Sequence, residues 1–227
     1  MRKFVKIVLL CMALVAPTAL VARNEDGSYT GKELKEFKKR AEKESKNLAK
    51  KYKKAGWDVN GTASLETAIF NHLMKTADYG GPGKELLGNA QDIKSVSLGG
   101  KVARTDAATK YAESCGQSLE GRINAMDNVL DEDQRQQFIH GIESTLAQDL
   151  NGEMVLSFEL YRKNKNGKYD VNVYYIVDEA AARKAQIRAI KAQAELTKVT
   201  RAVADEISQY VKDGAAEKKT EKNVMPD

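Results

Sequence analysis

Residues 154–177, MVLSFELYRKNKNGKYDVNVYYIV, decide how this chain folds. Met154, Leu156, Phe158 and Leu160 alternate with Val155, Ser157, Glu159 and Tyr161, the period-two pattern of a strand with one buried face. Asn164-Lys165-Asn166-Gly167 is a turn signal, so the segment predicts a β-hairpin. A two-residue turn at Asn166-Gly167 sets Leu160 opposite Val173, Phe158 opposite Tyr175 and Leu156 opposite Val177, and a four-residue loop keeps that parity. Phe158 and Tyr175 are then core neighbours and Glu159 faces outward. A one-residue slip would bring Asn172 and Tyr174 inside.

Downstream, Asp178 is placed to cap a helix running to about Lys212, roughly 50 Å at 1.5 Å per residue. Ala185, Ala189, Ala192, Leu196, Val199, Val203, Ile207 and Tyr210 recur along it at steps of three and four. The alanine half suits close approach to a sheet, and the Leu/Val half suits another helix in a coiled-coil pairing. Gly214 is the expected stop, with residues 215–227 a charged disordered tail.

Upstream of the hairpin, Asp131 and Gln134 form a capping-box pattern that opens a helix through Phe138, Ile139, Ile142, Leu146 and Leu150, ended by Asn151-Gly152. A preceding helix is expected from about Thr105 to Asn128. Ile93, Val96 and Leu98 read as a strand ending at Gly99-Gly100, where the adjacent glycines serve a bulge or a sharp exit into the helix. Gly31 to Gly56 reads as one helix with a thin apolar stripe of Leu34, Phe37, Ala41, Leu48 and Tyr52. Trp57 to Gly61 breaks the pattern. A short helix from Ser64 to Ala77 follows, with Leu65, Ile69, Leu73 and Thr76 on one face. The expected fold is α+β: a small antiparallel sheet with a prominent hairpin against long helices, plus a helical N-terminal extension. Four segments follow: 1–22, a signal peptide; 23–88, a lysine-rich extension and glycine connector; 89–214, an α/β domain; 215–227, the tail.

The N-terminus carries the export reading. Arg2, Lys3 and Lys6 flank and enter an apolar run from Phe4 to Val15, followed by small residues to Ala22, the pattern of a secretory signal peptide. Cleavage is expected after Ala22, with Ala19 the alternative. The apolar run is shorter than the ~20 residues of a membrane-spanning helix. No transmembrane segment is expected after processing. Leu10 before Cys11 departs from the small residue that lipoprotein processing requires. Without residues 1–22 the formal charge of +5 loses three positives and becomes +2. Arg23 to Lys54 alone holds twelve Lys/Arg against six Asp/Glu. Such a run reads as a solvated helix face, with peripheral contact to an anionic membrane as the functional alternative; nucleic acid is not an expected partner of an exported protein.

Chemistry-bearing motifs are sparse. Gly80-Gly81-Pro82-Gly83-Lys84-Glu85 lacks both the first glycine and the hydroxyl of a phosphate loop and reads as a connector. His72 and His140 have no second His or Cys at ligand spacing, and both are expected on the surface or its flank. Asp131-Glu132-Asp133 fits a helix N-terminus, where acidic residues are favoured electrostatically. Cys115, alone after processing, lies on the apolar stripe Ala108, Ala112, Cys115, Leu119, Ile123, Met126 and reads as a buried thiol. No nucleophile elbow or dinucleotide motif is present, and neither a catalytic residue, a metal nor a cofactor is expected.

The order of elements over residues 89–214, with "SVSLGGKVARTDAATKYAESCGQSLEGRI" and the hairpin, resembles the Helicobacter LPP-twenty lipoprotein family, which includes the flagellar outer-membrane protein FlgP. The resemblance implies an α/β envelope domain without recognised catalytic residues, engaged in outer-membrane assemblies. The lipid-attachment cysteine of that family is missing here. The leading expectation is a non-enzymatic, exported periplasmic or envelope-associated interaction protein that binds an envelope protein or itself. Its expected surface is Leu34, Phe37, Leu48 and Tyr52 with Leu196, Val199, Val203, Ile207 and Tyr210. The second stripe needs cover from the N-terminal helix or from a second chain. The alternative is a periplasmic binder of a small ligand or envelope component, using Gly99-Gly100 and the outer hairpin tyrosines Tyr161 and Tyr174, with a concave apolar pocket beside Gly99.

Overall fold

The computed structural model describes residues 31–78, 85–126 and 130–220. The expected signal peptide, the connector Gly80–Lys84 and the tail beyond Thr220 lie outside the described residues. In chain order the elements are α1 (Gly31–Lys54), β1 (Asp58–Val59), α2 (Leu65–Asp78), β2 (Glu85–Ile93), α3 (Val96–Asn124), α4 (Glu132–Glu153), β3 (Val155–Lys163), β4 (Tyr169–Ile176), α5 (Glu179–Thr197) and α6 (Arg201–Thr220). The fold is α+β, with one antiparallel sheet in the order β1-β3-β4-β2.

The hairpin forms, in a different register from the expected one. Phe158 sits opposite Tyr174 and Leu160 opposite Asn172. The loop decides this. Five residues separate Lys163 from its partner Tyr169, because the Asn164 side chain accepts from the Asn166 and Lys168 amides at 3.0 and 3.1 Å. Gly167, at φ 76, takes the left-handed conformation after the turn. An odd loop shifts the pairing by one, and a bulge at Ser157, between Leu156 and Phe158, shifts it again. Tyr174 is therefore inside. Glu159, expected outward, is half-buried beneath Gly100 of α3, and its side chain accepts from Asn60 at 2.8 Å.

Burying Tyr174 is tolerated because helices cover both sheet faces. On one side Phe158, Leu160 and Tyr174 meet Leu65, Ile69 and Leu73 of α2 and Ala41, Leu48 and Ala49 of α1. On the other, Val171, Val173 and Tyr175 meet Ala103, Ala107 and Ala108 of α3. The boundary expected at Asn89 falls inside β2, which pairs with β4 from Glu85 onward. Residues 31–78 are thus half of the core's cover rather than an appendage.

The second helical side begins earlier than the sequence suggests. Val96, Leu98 and Gly99-Gly100 are not strand residues: Ser95 caps α3, its side chain accepting from the Leu98 amide at 3.3 Å. The glycines are spacers. A Cβ on Gly99 would lie 2.4 Å from Val171 Cγ2, and one on Gly88 of β2 would lie 1.7 Å from the Ala103 carbonyl oxygen. Helix and sheet approach almost backbone to backbone. The expected caps of α4 and α5 are present, with Asp131 and Gln134 in a full capping box and Asp178 accepting from Ala181.

The single helix expected from Asp178 to Lys212 is two helices. Lys198 ends α5 in the left-handed conformation at φ 59, within a run whose Thr197, Val199 and Thr200 are β-branched and helix-unfavourable. The chain turns, and Val199 with Val203, Ala204 and Ile207 of α6 joins a core with Leu119, Ile123, Phe138 and Ile139. Ala185, Ala189 and Ala194 of α5 pack in that core rather than on the sheet, Ala182 joins the cluster at the sheet and Ala192 is exposed; it is α3 that lies along the sheet. Gly214 does not stop α6, which extends to Thr220 into the segment expected to be disordered.

Candidate functional site

Six of the nine residues expected to form an interaction surface divide between two interiors. Leu48 is buried, and Phe37 and Tyr52 half-buried, against α2 and the sheet. Val199, Val203 and Ile207 are buried in the α3–α6 core on the opposite side of the sheet. The two stripes are not partners of each other, and the second needs no further chain to cover it. Leu34, Leu196 and Tyr210 stay outside, at 42, 74 and 40 % exposure. Arg122 lies over the Tyr210 ring at 5.8 Å.

Sequence reasoning missed the polar row under α2. His72, expected at the surface, is 1 % exposed. Its position was legible, since residue 72 is three after Ile69 and seven after Leu65 on the buried face of α2. Its Nδ1 meets Ser157 Oγ at 2.9 Å, while Nε2 meets a Glu85 carboxylate oxygen. Phe158 and Tyr174 pack edge-on against the imidazole, with centroids at 5.1 and 5.6 Å. Hydroxyl, imidazole and carboxylate in a row is the order used for acyl transfer where the hydroxyl faces substrate. Here the row ties α2 to β2 and β3 through hydrogen bonds that satisfy a buried ring. Beside it, the Tyr52 and Tyr174 hydroxyls meet at 2.5 Å. Burial pushes both phenols up from their ordinary 10.0, and for Tyr174 the neighbouring Tyr52 adds to the rise.

The outer side of the same layer has the opposite character. Ten lysines and Arg40 stand against Glu33, Glu36, Glu42 and Glu44 in α1, a net +7 on one helix. All ten lysines are exposed, because Ala41, Ser45, Leu48 and Ala49 turn inward. Beyond the end of α1, Trp57 is half-buried with Arg162 4.7 Å above its ring. There β1 pairs with Leu160 and Tyr161, bringing α1's last turn beside the hairpin strand that leads to Lys163 and Lys165, both exposed.

Elsewhere, α3 and α4 enclose a shallow groove of about 380 Å³ that includes Thr105, Thr109, Glu113, His140, Glu143 and Asn151. His140 is exposed, as expected, and meets Glu143 at 3.2 Å. Cys115 is half-buried, receives a hydrogen bond from Gln186 at 2.7 Å, and burial raises its thiol above the ordinary 9.0. Val171 fills the space beside Gly99 where an apolar pocket was the test of ligand binding, and the Tyr174 hydroxyl points to α1 rather than outward. Among the described residues no group of three His, Cys, Asp or Glu is placed to hold a metal ion, and no helix is long and apolar enough to cross a membrane. No family model, no curated protein and no solved structure matches this chain.

Proposed function

We propose that this is an exported, non-enzymatic interaction protein of the cell envelope that docks through the outer face of α1. The observation that carries the reading is the segregation of α1, with its apolar residues turned to the sheet and its lysines to solvent. The same helix thereby completes the core and presents a charged ridge. The N-terminal export signal supports the compartment, and the resemblance of residues 89–214 to an envelope family supports the class. His72 and Cys115 are engaged in holding elements together, and Asp131 in capping α4.

Fractionation of cells producing the native chain tests this, together with N-terminal sequencing of the mature form and cross-linking from a photoreactive residue at Lys43. The expected result is a chain beginning near Arg23, in the periplasmic or envelope fraction, cross-linked to an envelope component. A cytoplasmic chain with residues 1–22 intact would contradict it.

A further inference from the structure

This inference rests on α1 as the docking face and names what that face meets. We infer that the partner is an anionic phospholipid surface. At 3.6 residues per turn, Lys32, Lys39, Lys43, Lys50 and Lys54 fall on one stripe diametrically opposite Ala41, Ser45 and Leu48. The stripe is roughly 33 Å long at 1.5 Å per residue. Glu36 is the acidic residue on it; Glu33, Glu42 and Glu44 lie to its sides. None of these lysines is in an ion pair among the described residues. On the hairpin Arg162 and Lys168 are neutralised by Asp170 and Asp92, so α1 carries the basic face.

Shape separates this partner from others. A straight row of flexible cations on a convex helix offers no groove for a polymer chain to enter. It fits a flat surface whose anionic headgroups can move laterally beneath it, and each lysine near such a surface strengthens binding about fivefold. Trp57 packs against the core on the α1–α2 side, so the contact rests on charge.

The chain beginning at Arg23, which keeps every described residue, is titrated with phosphatidylcholine vesicles with and without phosphatidylglycerol, and binding is read by co-sedimentation. The expected result is binding to phosphatidylglycerol vesicles only. The binding is lost in about 1 M salt, where the screening length falls to roughly 3 Å. Replacing Lys39, Lys43 and Lys50 together by alanine weakens it on the order of a hundredfold with the unfolding transition unchanged, whereas Lys184→Ala with Lys191→Ala on exposed α5 leaves it intact. Absent binding, equal binding without phosphatidylglycerol, or equal losses in the two variants would overturn the lipid assignment. If vesicles fail while the native chain still cross-links to an envelope protein from Lys43, the docking face stands and only the lipid partner falls. A chain retained in the cytoplasm removes the docking reading itself.

Discussion

The two faces of the sheet are dry for different reasons. Toward α1 and α2 the contact is made by large side chains: Phe158 stacks on Tyr174 with centroids 4.3 Å apart and planes 4° from parallel. Polar tips are accommodated there by pairing, Tyr52 with Tyr174 and His72 with Ser157 and Glu85. Toward α3 the contact is made by the lack of side chains, with Gly88 and Gly99 letting the backbones meet over Ala103 and Ala107. The first face tolerates loss of volume badly, and the second tolerates its addition badly.

That contrast can be broken by substitution. Phe158→Ala, on the aromatic face, should cost about 3–5 kcal/mol, measured by urea unfolding; a cost near zero would mean that the α1–α2 layer does not press on the sheet. Gly88→Ala, on the tight face, adds one methyl group against a backbone oxygen and should cost on the order of 1–3 kcal/mol or more. Its control is Gly121→Ala in α3, where a Cβ meets nothing within 4 Å. That change should stabilise by up to about 1 kcal/mol, and equal effects at the two glycines would erase the distinction between them.

Both sides of the sheet also carry a pH signature, Tyr52 and Tyr174 on the aromatic one and Tyr111, Cys115 and Tyr175 on the side of α3. Burial raises the phenols of Tyr52, Tyr111, Tyr174 and Tyr175 and the thiol of Cys115, so each ionises later in the folded chain than in the unfolded one. An acid whose folded pKa is raised leaves stability unaffected below its ordinary value, 9.0 for the thiol and 10.0 for the phenols. Stability then falls as pH climbs from there toward the folded values. From neutral pH, urea midpoints should be level to about pH 8 and decline beyond it. Tyr174→Phe should cost about 1 kcal/mol at neutral pH and make that decline shallower; an unchanged slope would remove Tyr174 from the titration.

The smallest expected effect lies far from both faces. Ser208 is buried in α6 and its hydroxyl has no partner among the described residues, so Ser208→Ala should stabilise by about 0.5 kcal/mol through helix propensity alone. A loss of a kilocalorie or more by the same measure would reveal a bond made by that hydroxyl.

What the sequence made legible was local. The strands of the hairpin alternate visibly, and Asp131 with Gln134 and Asp178 announce helix starts within four residues of themselves. The register was not legible, because it depends on the Asn164 side chain holding an odd loop and on a second helical layer that makes an inward Tyr174 acceptable. Gly99-Gly100 resembled the end of a strand because glycine is unfavourable in helices; only the nearness of Val171 explains its presence in one. The break at Lys198 interrupts an unbroken apolar period, so the pattern extended the helix past a turn that the core requires. At the candidate docking face, the lysines were legible as a charge run, whereas their confinement to one side of α1 required the buried positions of Ala41, Ser45 and Leu48.

Removing residues 31–78 shows whether they are one of the two covers of the sheet. Chains beginning at Arg23 and at Lys84 can be compared by thermal unfolding and near-ultraviolet circular dichroism; the shorter keeps β2, β3, β4 and α3–α6. Without α1 and α2, Phe158, Leu160 and Tyr174 face water on that side, and large apolar side chains contribute about 1.5–3 kcal/mol each on burial. Their combined loss is comparable with a domain's whole stability of about 5–15 kcal/mol. The shorter chain should therefore lose its cooperative transition and its aromatic circular dichroism. A shorter chain that unfolds cooperatively at the same temperature as the longer one would contradict the account and return residues 31–78 to the standing of an extension.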